Sequence, residues 1–264
     1  MEEELHKHWE SFSLTDQEAN SVSVEKDDLE HLVEKGKRCL LLLINADRVV
    51  DLQAFRTTMS MIWRPEVWIH YKDVGVNRVL VEFQHERDKG KVLAGRPWSF
   101  DKALICLQEV DEKVPLKDIK FAKELFWVQA HNMPMSCLTM EVGFKLFSRM
   151  EKVLEVETDE GGCCWGSILR AKVEVDITKP LTCGRLLTVD MSKNGSLFKY
   201  ERLPSFCLHC GSILHCKQCP RTSRYKKMEA NNQYGPWLRA SPTKGSGFDT
   251  HRYGGNMNRQ PQHG

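Results

Sequence analysis

An α+β fold is what this sequence predicts, and three observations predict it. Short apolar runs of strand length alternate with stretches of helical spacing. Within the run Ile168 to Ile177, apolar and charged residues alternate from Leu169 on, the mark of a strand in a one-sided sheet. The longest unbroken apolar run, Cys39 to Ile44, is strand-sized and far short of the ~20 residues that span a bilayer. With 264 residues, 41% hydrophobic and 28% charged, the chain can fill one large or two small cores.

Residues 1–37 are polar and acidic, with isolated Trp9, Phe12 and Leu14. They are expected to be mostly disordered, with one short docking segment. Cys39 to Ile44 reads as a buried strand. Asp51 is placed to cap a helix whose apolar face is Leu52, Phe55, Met59 and Ile62, and Pro65 stops it. Val67 to Tyr71 reads as a strand, Asp73 to Gly75 as a turn, and Arg78 to Phe83 as the next strand. A short helix from about Arg87 to Leu93 ends near Gly95, and Lys102 to Leu107 closes the unit as a strand. That order is β-α-β-β-α-β, the ferredoxin-like or RRM-like arrangement. An RRM stacks RNA bases on sheet-face aromatics. Here the third strand offers only Phe83, which is expected in the core, so the topology is predicted without that function.

A second, smaller α+β sheet unit follows. Its elements are Phe126 to Ala130, a helix capped by Thr139 with Val142, Leu146 and Met150 on one face, Val153 to Glu157, Ile168 to Ile177, Leu186 to Val189 and Leu197 to Tyr200. The outer charges of the long strand, Arg170, Lys172, Glu174 and Asp176, are expected to be solvated. The predicted division is an acidic segment 1–37, a ferredoxin/RRM-like unit 38–110, a second unit 121–202, a cysteine-rich knot 203–221 and a basic tail 222–264. The tail is expected to be disordered, with Tyr234 to Leu238 as a short anchor.

Charge is unevenly spread behind a formal net of +2. Residues 1–35 hold eleven Asp/Glu against three Lys, a net of −8, and residues 199–264 hold eleven Lys/Arg against three Asp/Glu, a net of +8. A basic C-terminal end suggests a polyanion partner, against the plainer reading of a solvated tail. The acidic N-terminus is neither a signal nor a transit peptide, so an intracellular place, nucleus or cytoplasm, with no membrane contact is expected. In that reducing setting the ten cysteines are expected as thiols or metal ligands. Cys39 and Cys106 look like small core residues, and Cys163-Cys164 incidental. Four cysteines crowd into residues 207–219, FCLHCGSILHCKQCP with its flanks, with His215 among them, and soft thiolates beside an imidazole are what tetrahedral Zn²⁺ takes.

Six stretches carry a resemblance: FRTTMSMIWRP (55–65), LAGRPWSFDKALICL (93–107), FWVQAHNMP (126–134), RAKVEVDITKPL (170–181), FKYERLPSFCLHC (198–210) and QYGPWLRA (233–240). Residues from about 37 to 240 are similar to plant LINE-type retrotransposon-related proteins, in which a domain of unknown function precedes a CCHC zinc knuckle. The resemblance implies nucleic-acid binding and the register Cys-x2-Cys-x4-His-x4-Cys. Cys207, Cys210 and His215 stand in that register, but its fourth position falls on Pro220. Either Cys219 closes the site one residue early, or Cys216 replaces His215 to give four thiolates, Cys207, Cys210, Cys216 and Cys219. Leu208 stands where the family has an aromatic residue and Leu214 where it has glycine, so a decayed site is a third reading.

Enzyme patterns fail. His85-Glu86 is followed by Lys89 where a zincin needs histidine. No P-loop or G-x-S-x-G occurs, and neither C-x-x-C follows the proline of a zinc deaminase. The expectation is therefore a non-enzymatic zinc protein. Cys207, Cys210, His215 and Cys219 would hold the metal, and Lys217, Arg221, Arg224, Lys226 and Lys227 the phosphates of RNA or single-stranded DNA. The alternative is a protein-interaction or self-assembly module with a structural or decayed zinc site.

Overall fold

The computed structural model describes residues 13, 15–18, 20–111, 113–164, 166–189, 191–215, 219 and 233–241. Its first regular element corrects the expectation of disorder through residue 37. Helix α1 spans Lys26–Lys37, and its start is fixed by the Asp28 carboxylate accepting from the Glu25 amide at 3.1 Å. That reciprocal cap satisfies donors that a helix start leaves open.

The first sheet contains β1 (Cys39–Asn45), β2 (Ile69–Gly75), β3 (Arg78–Phe83), β4 (Trp98–Phe100) and β5 (Ala103–Glu109), in the order β2-β3-β1-β5-β4. Every neighbouring pair is antiparallel. With α2 (Leu52–Trp63) after β1 and α3 (Glu86–Ala94) after β3, this is the expected βαββαβ order with one added hairpin strand, β4. Asp51 caps α2 by accepting from the Gln53 and Ala54 amides, and Arg64, left-handed at φ 47°, ends it before Pro65. The buried face of α2 is Phe55, Met59 and Trp63, so Trp63 takes the inward place expected of Ile62, which is exposed. β2 runs through Gly75 rather than stopping at Tyr71, because the reversal is made at Asn77, φ 55°. The Asn77 side chain then ties down the β1–α2 loop, accepting from the Val50 amide and donating to the Arg48 carbonyl. Phe83 lies fully buried in the helix-side core with Val79 and Val81, as expected.

The second sheet repeats this plan. Its strands are β6 (Lys123–His131), β7 (Lys152–Val156), β8 (Leu169–Asp176), β9 (Gly184–Val189) and β10 (Ser192–Tyr200), in the order β7-β8-β6-β10-β9. Add five to each strand of the first sheet and the second order results. Helix α4 (Met140–Phe147), capped by the Thr139 hydroxyl, sits between β6 and β7 as α2 does between β1 and β2. It stops at Ser148, short of Met150, and buries Gly143, Leu146 and Phe147. No helix joins β8 to β9. The core beneath is filled instead by Leu181, Leu203, Phe206, Ile213 and Leu238.

The two sheets share that second core. Leu40, Leu42 and Ile44 of β1 face the helices, while Leu43 of β1 and Leu104 and Cys106 of β5 point the other way, into the core of the second unit. The linker adds to the cover, since the Arg78 guanidinium donates to the carbonyls of Leu116, Lys117 and Ile119 and lies over the Phe121 ring. Beyond the short β4, the free edge of β5 is met by Glu124 of β6, whose carboxylate accepts from the Leu107 amide at 3.0 Å. The back of the first sheet is thus occupied within the chain.

The far face of the second sheet corrects another expectation. Arg170 is buried, not solvated. Its guanidinium makes a two-pronged pair with Glu201 at 2.7 and 2.9 Å, reaches Glu157 at 2.8 Å, and stacks 3.8 Å from the Trp127 ring centre. Lys172 and Arg202 donate to the carbonyls of Ala94 and Gly95, placing two cations at the negative end of α3. Among the described residues no helix is long and apolar enough to cross a membrane.

Candidate metal centre

After β10 the chain turns back over the second core. Leu203 and Phe206 are buried there, and the Ser205 amide donates to the Lys102 carbonyl in the β4–β5 turn. Residues 207–212 then close a tight turn. The Gly211 amide donates to the Cys207 carbonyl and the Cys207 amide to the Ser212 carbonyl, both at 2.8 Å. Gly211 has φ +74°, which favours glycine, and a Cβ there would stand 2.2 Å from the Tyr234 ring. Ile213 is buried, and its carbonyl accepts from Asn45 at the end of β1. The turn is therefore bolted to both sheets.

That geometry gathers four ligand atoms. The Cys207, Cys210 and Cys219 sulfurs and a ring nitrogen of His215 all lie within 4.8 Å of one another. His215 Nε2 is 3.2 Å from the Cys210 sulfur. A tetrahedron built on metal–sulfur bonds of about 2.3 Å has edges of about 3.8 Å, so the set needs only slight contraction to hold one ion. Three soft sulfurs and one imidazole suit Zn²⁺. Cys207 and Cys210 are buried, and no disulfide forms among the described cysteines. Burial first, and then the neighbouring Cys207 and Cys219 sulfurs, push the Cys210 thiol up to about 11 against an opposing bond from the Ser212 amide. A cation would displace that proton.

Cys216 and the five basic residues Lys217, Arg221, Arg224, Lys226 and Lys227 lie outside the described residues. The structure brings together the set containing His215. Of the remaining cysteines, Cys39 and Cys106 are buried in the cores, as expected. Beside the cluster, a cleft of about 1090 Å³ runs past His215, between the β1–α2 loop and the β4–β5 turn. Arg48 and Lys102 on its walls are balanced by Asp47, Asp51 and Asp101, so it offers no polyanion track.

The segment 233–241 completes the site. Tyr234 lies against Gly211, Leu238 is buried in the second core, and Arg239 donates to the carbonyls of Leu203 and Pro204 beneath the cluster. The Ala240 amide donates to the Tyr200 carbonyl, and Arg239 forms a parallel bridge with Tyr200 at the end of β10. The expected anchor at Tyr234 to Leu238 is thus part of the body that carries the metal ligands. Asn45 had no signal in the sequence; only the packing of the two units shows what it holds.

Comparison with known proteins agrees with this geometry in part. No curated protein matches the chain. Among solved structures, the first two RRM domains of yeast poly(U) binding protein (Pub1) are similar at 11% identity and a TM-score of 0.22, over 62% of this chain and 98% of that one. Residues 32–117 match the family described as "Domain of unknown function (DUF4283)", and residues 175–221 match the family described as "Zinc knuckle". The second match begins in β8 and ends just past Cys219. A DUF4283 domain followed by a zinc knuckle is an order typical of retrotransposon-related plant proteins.

Proposed function

We propose that this chain is a non-enzymatic, zinc-dependent nucleic-acid-binding protein of LINE-type retroelement origin. It would act inside the cell, in nucleus or cytoplasm, on single-stranded RNA or DNA with little sequence preference. The observation that carries this reading is the convergence of Cys207, Cys210, His215 and Cys219 within 4.8 Å, inside the stretch that matches a zinc knuckle. Zn²⁺ held by four protein ligands has no open position for substrate or water, so its contribution is folding energy rather than reaction chemistry. In the sequence, Lys217 lies between the ligands His215 and Cys219, and Arg221, Arg224, Lys226 and Lys227 follow within eight residues of Cys219. Those cations would meet phosphates and release counterions.

A salt titration with a labelled single strand tests it. Five phosphate contacts give a log–log slope of about −3.5, so raising salt from about 50 to 200 mM weakens binding roughly a hundredfold. The same weak binding at both salts would sink the reading. A double variant, Cys207→Ser with Cys210→Ser, is expected to lose zinc and most of the affinity.

A second reading, self-assembly, is favoured by one observation. Leu186 and Leu197, 73% and 60% exposed, sit on the edge hairpin β9–β10. Light scattering that gives a monomer mass at every concentration removes it.

A further inference from the structure

The segment 233–241 that packs against the metal-binding turn holds an indole in the open. Trp237, at 50%, is the most exposed aromatic residue among those described. Single exposed apolar residues are ordinary, but the backbone on both sides of this one is held. Pro236 precedes it in a short 3-10 turn, Pro236–Leu238. Leu238 after it is buried in the second core, and Arg239 is held by the Leu203 and Pro204 carbonyls and lies over the Phe206 ring. The indole folds onto Gly235, where a Cβ would stand 2.2 Å from the ring. Tyr234 rests against Gly211, the residue after Cys210. The open face of the indole is therefore fixed to the same body as the metal ligands.

Of the side chains that the cluster itself exposes, Leu208 and Leu214 are aliphatic, and His209 offers only an imidazole, a smaller π face than an indole. The sequence around this site carries eleven cations against three acidic residues over positions 199–264, which calls for a polyanion. A rigid indole close in sequence to such a run of cations suits the stacking of an unpaired base, whatever the base.

We propose that Trp237 stacks on an unpaired base of the bound strand and supplies the aromatic contact that the knuckle's own leucines cannot. This rests on the nucleic-acid reading above. The test uses the full zinc-loaded chain, a labelled oligo(U) or oligo(dT), and the variants Trp237→Leu and Trp237→Phe. Trp237→Leu is expected to weaken binding about tenfold, with Trp237→Phe within about threefold of the parent. The salt slope should stay the same in both, because no phosphate contact is lost. A duplex of matching length should show no dependence on residue 237. Trp237→Leu binding like the parent overturns the proposal, and so does an equal loss on duplex or a changed salt slope. Should Trp237→Leu lose zinc or melt early, fluorescence decides: quenching by the strand should fall in Trp237→Phe, and undiminished quenching overturns the idea. A parent chain that binds no strand at any salt sinks the nucleic-acid reading itself, whereas equal binding by parent and Trp237→Leu sinks only the role of Trp237.

Discussion

Gly211 shows how much rests on single residues near the metal. Its left-handed backbone closes the turn between Cys207 and Ser212, and its missing side chain makes room for Tyr234. Gly211→Ala meets both obstacles at once. It is expected to cost about 1–3 kcal/mol, lowering the melting temperature by about 3–10 °C. Thermal melts of the two zinc-loaded proteins check this, and equal melting would mean that Tyr234 is not held there. At this scale the sequence was partly legible. Asp51 and Thr139 read correctly as caps because capping is a local bond to the next turn. Arg170 read wrongly, because its partners Glu201 and Glu157 and the Trp127 ring come from three other segments. Alternation along one strand cannot announce such a cage.

Among elements, the strands that alternate or run apolar, β1, β3 and β8, were legible to within a residue or two, because burial enforces their pattern. β4 was not, being three residues long and defined only by pairing with β5. α1 was missed because its acidic composition suggested disorder, although Asp27 and Asp28 suit the first turn of a helix. Between elements, Glu124 is the contact with a measurable signature. Burial raises its carboxyl above the ordinary value of 4.5, and Arg96 at 3.6 Å with the Leu125 and Leu107 amides only partly offsets this. The folded chain then keeps a proton that the unfolded chain gives up. Stability should fall as pH rises from about 4.5 through the raised value. In Glu124→Gln, which keeps an acceptor for the Leu107 amide, that fall should vanish. Urea unfolding between about pH 4 and 8 measures it, and parallel curves for both proteins would show that Glu124 does not titrate in this window.

Across the whole molecule, one strand order is used twice, with a difference. The first unit closes its core with two helices. The second has one, and residues around the metal cluster fill the rest through Phe206, Ile213 and Leu238. Zinc removal should therefore loosen the second core and spare the first. Calorimetry is expected to show one cooperative transition for the zinc-loaded chain. With chelator, an earlier transition should split off, since ligation of such a segment is worth on the order of 10 kcal/mol. Unchanged melting after chelation would make the cluster an ornament. None of this coupling was legible from one sequence, since pattern shows what is buried but not which unit buries it.

The covered back of the first sheet bears on how such a chain can be inherited. A coding fragment that stopped near residue 110 would specify Leu43, Leu104 and Cys106 without the half that shelters them. Recombination that parts the two halves would pass on an exposed seam, whereas recombination outside them would move a finished surface. The two units are thus a single hereditary parcel, and the seam between them is where exchange should be least tolerated.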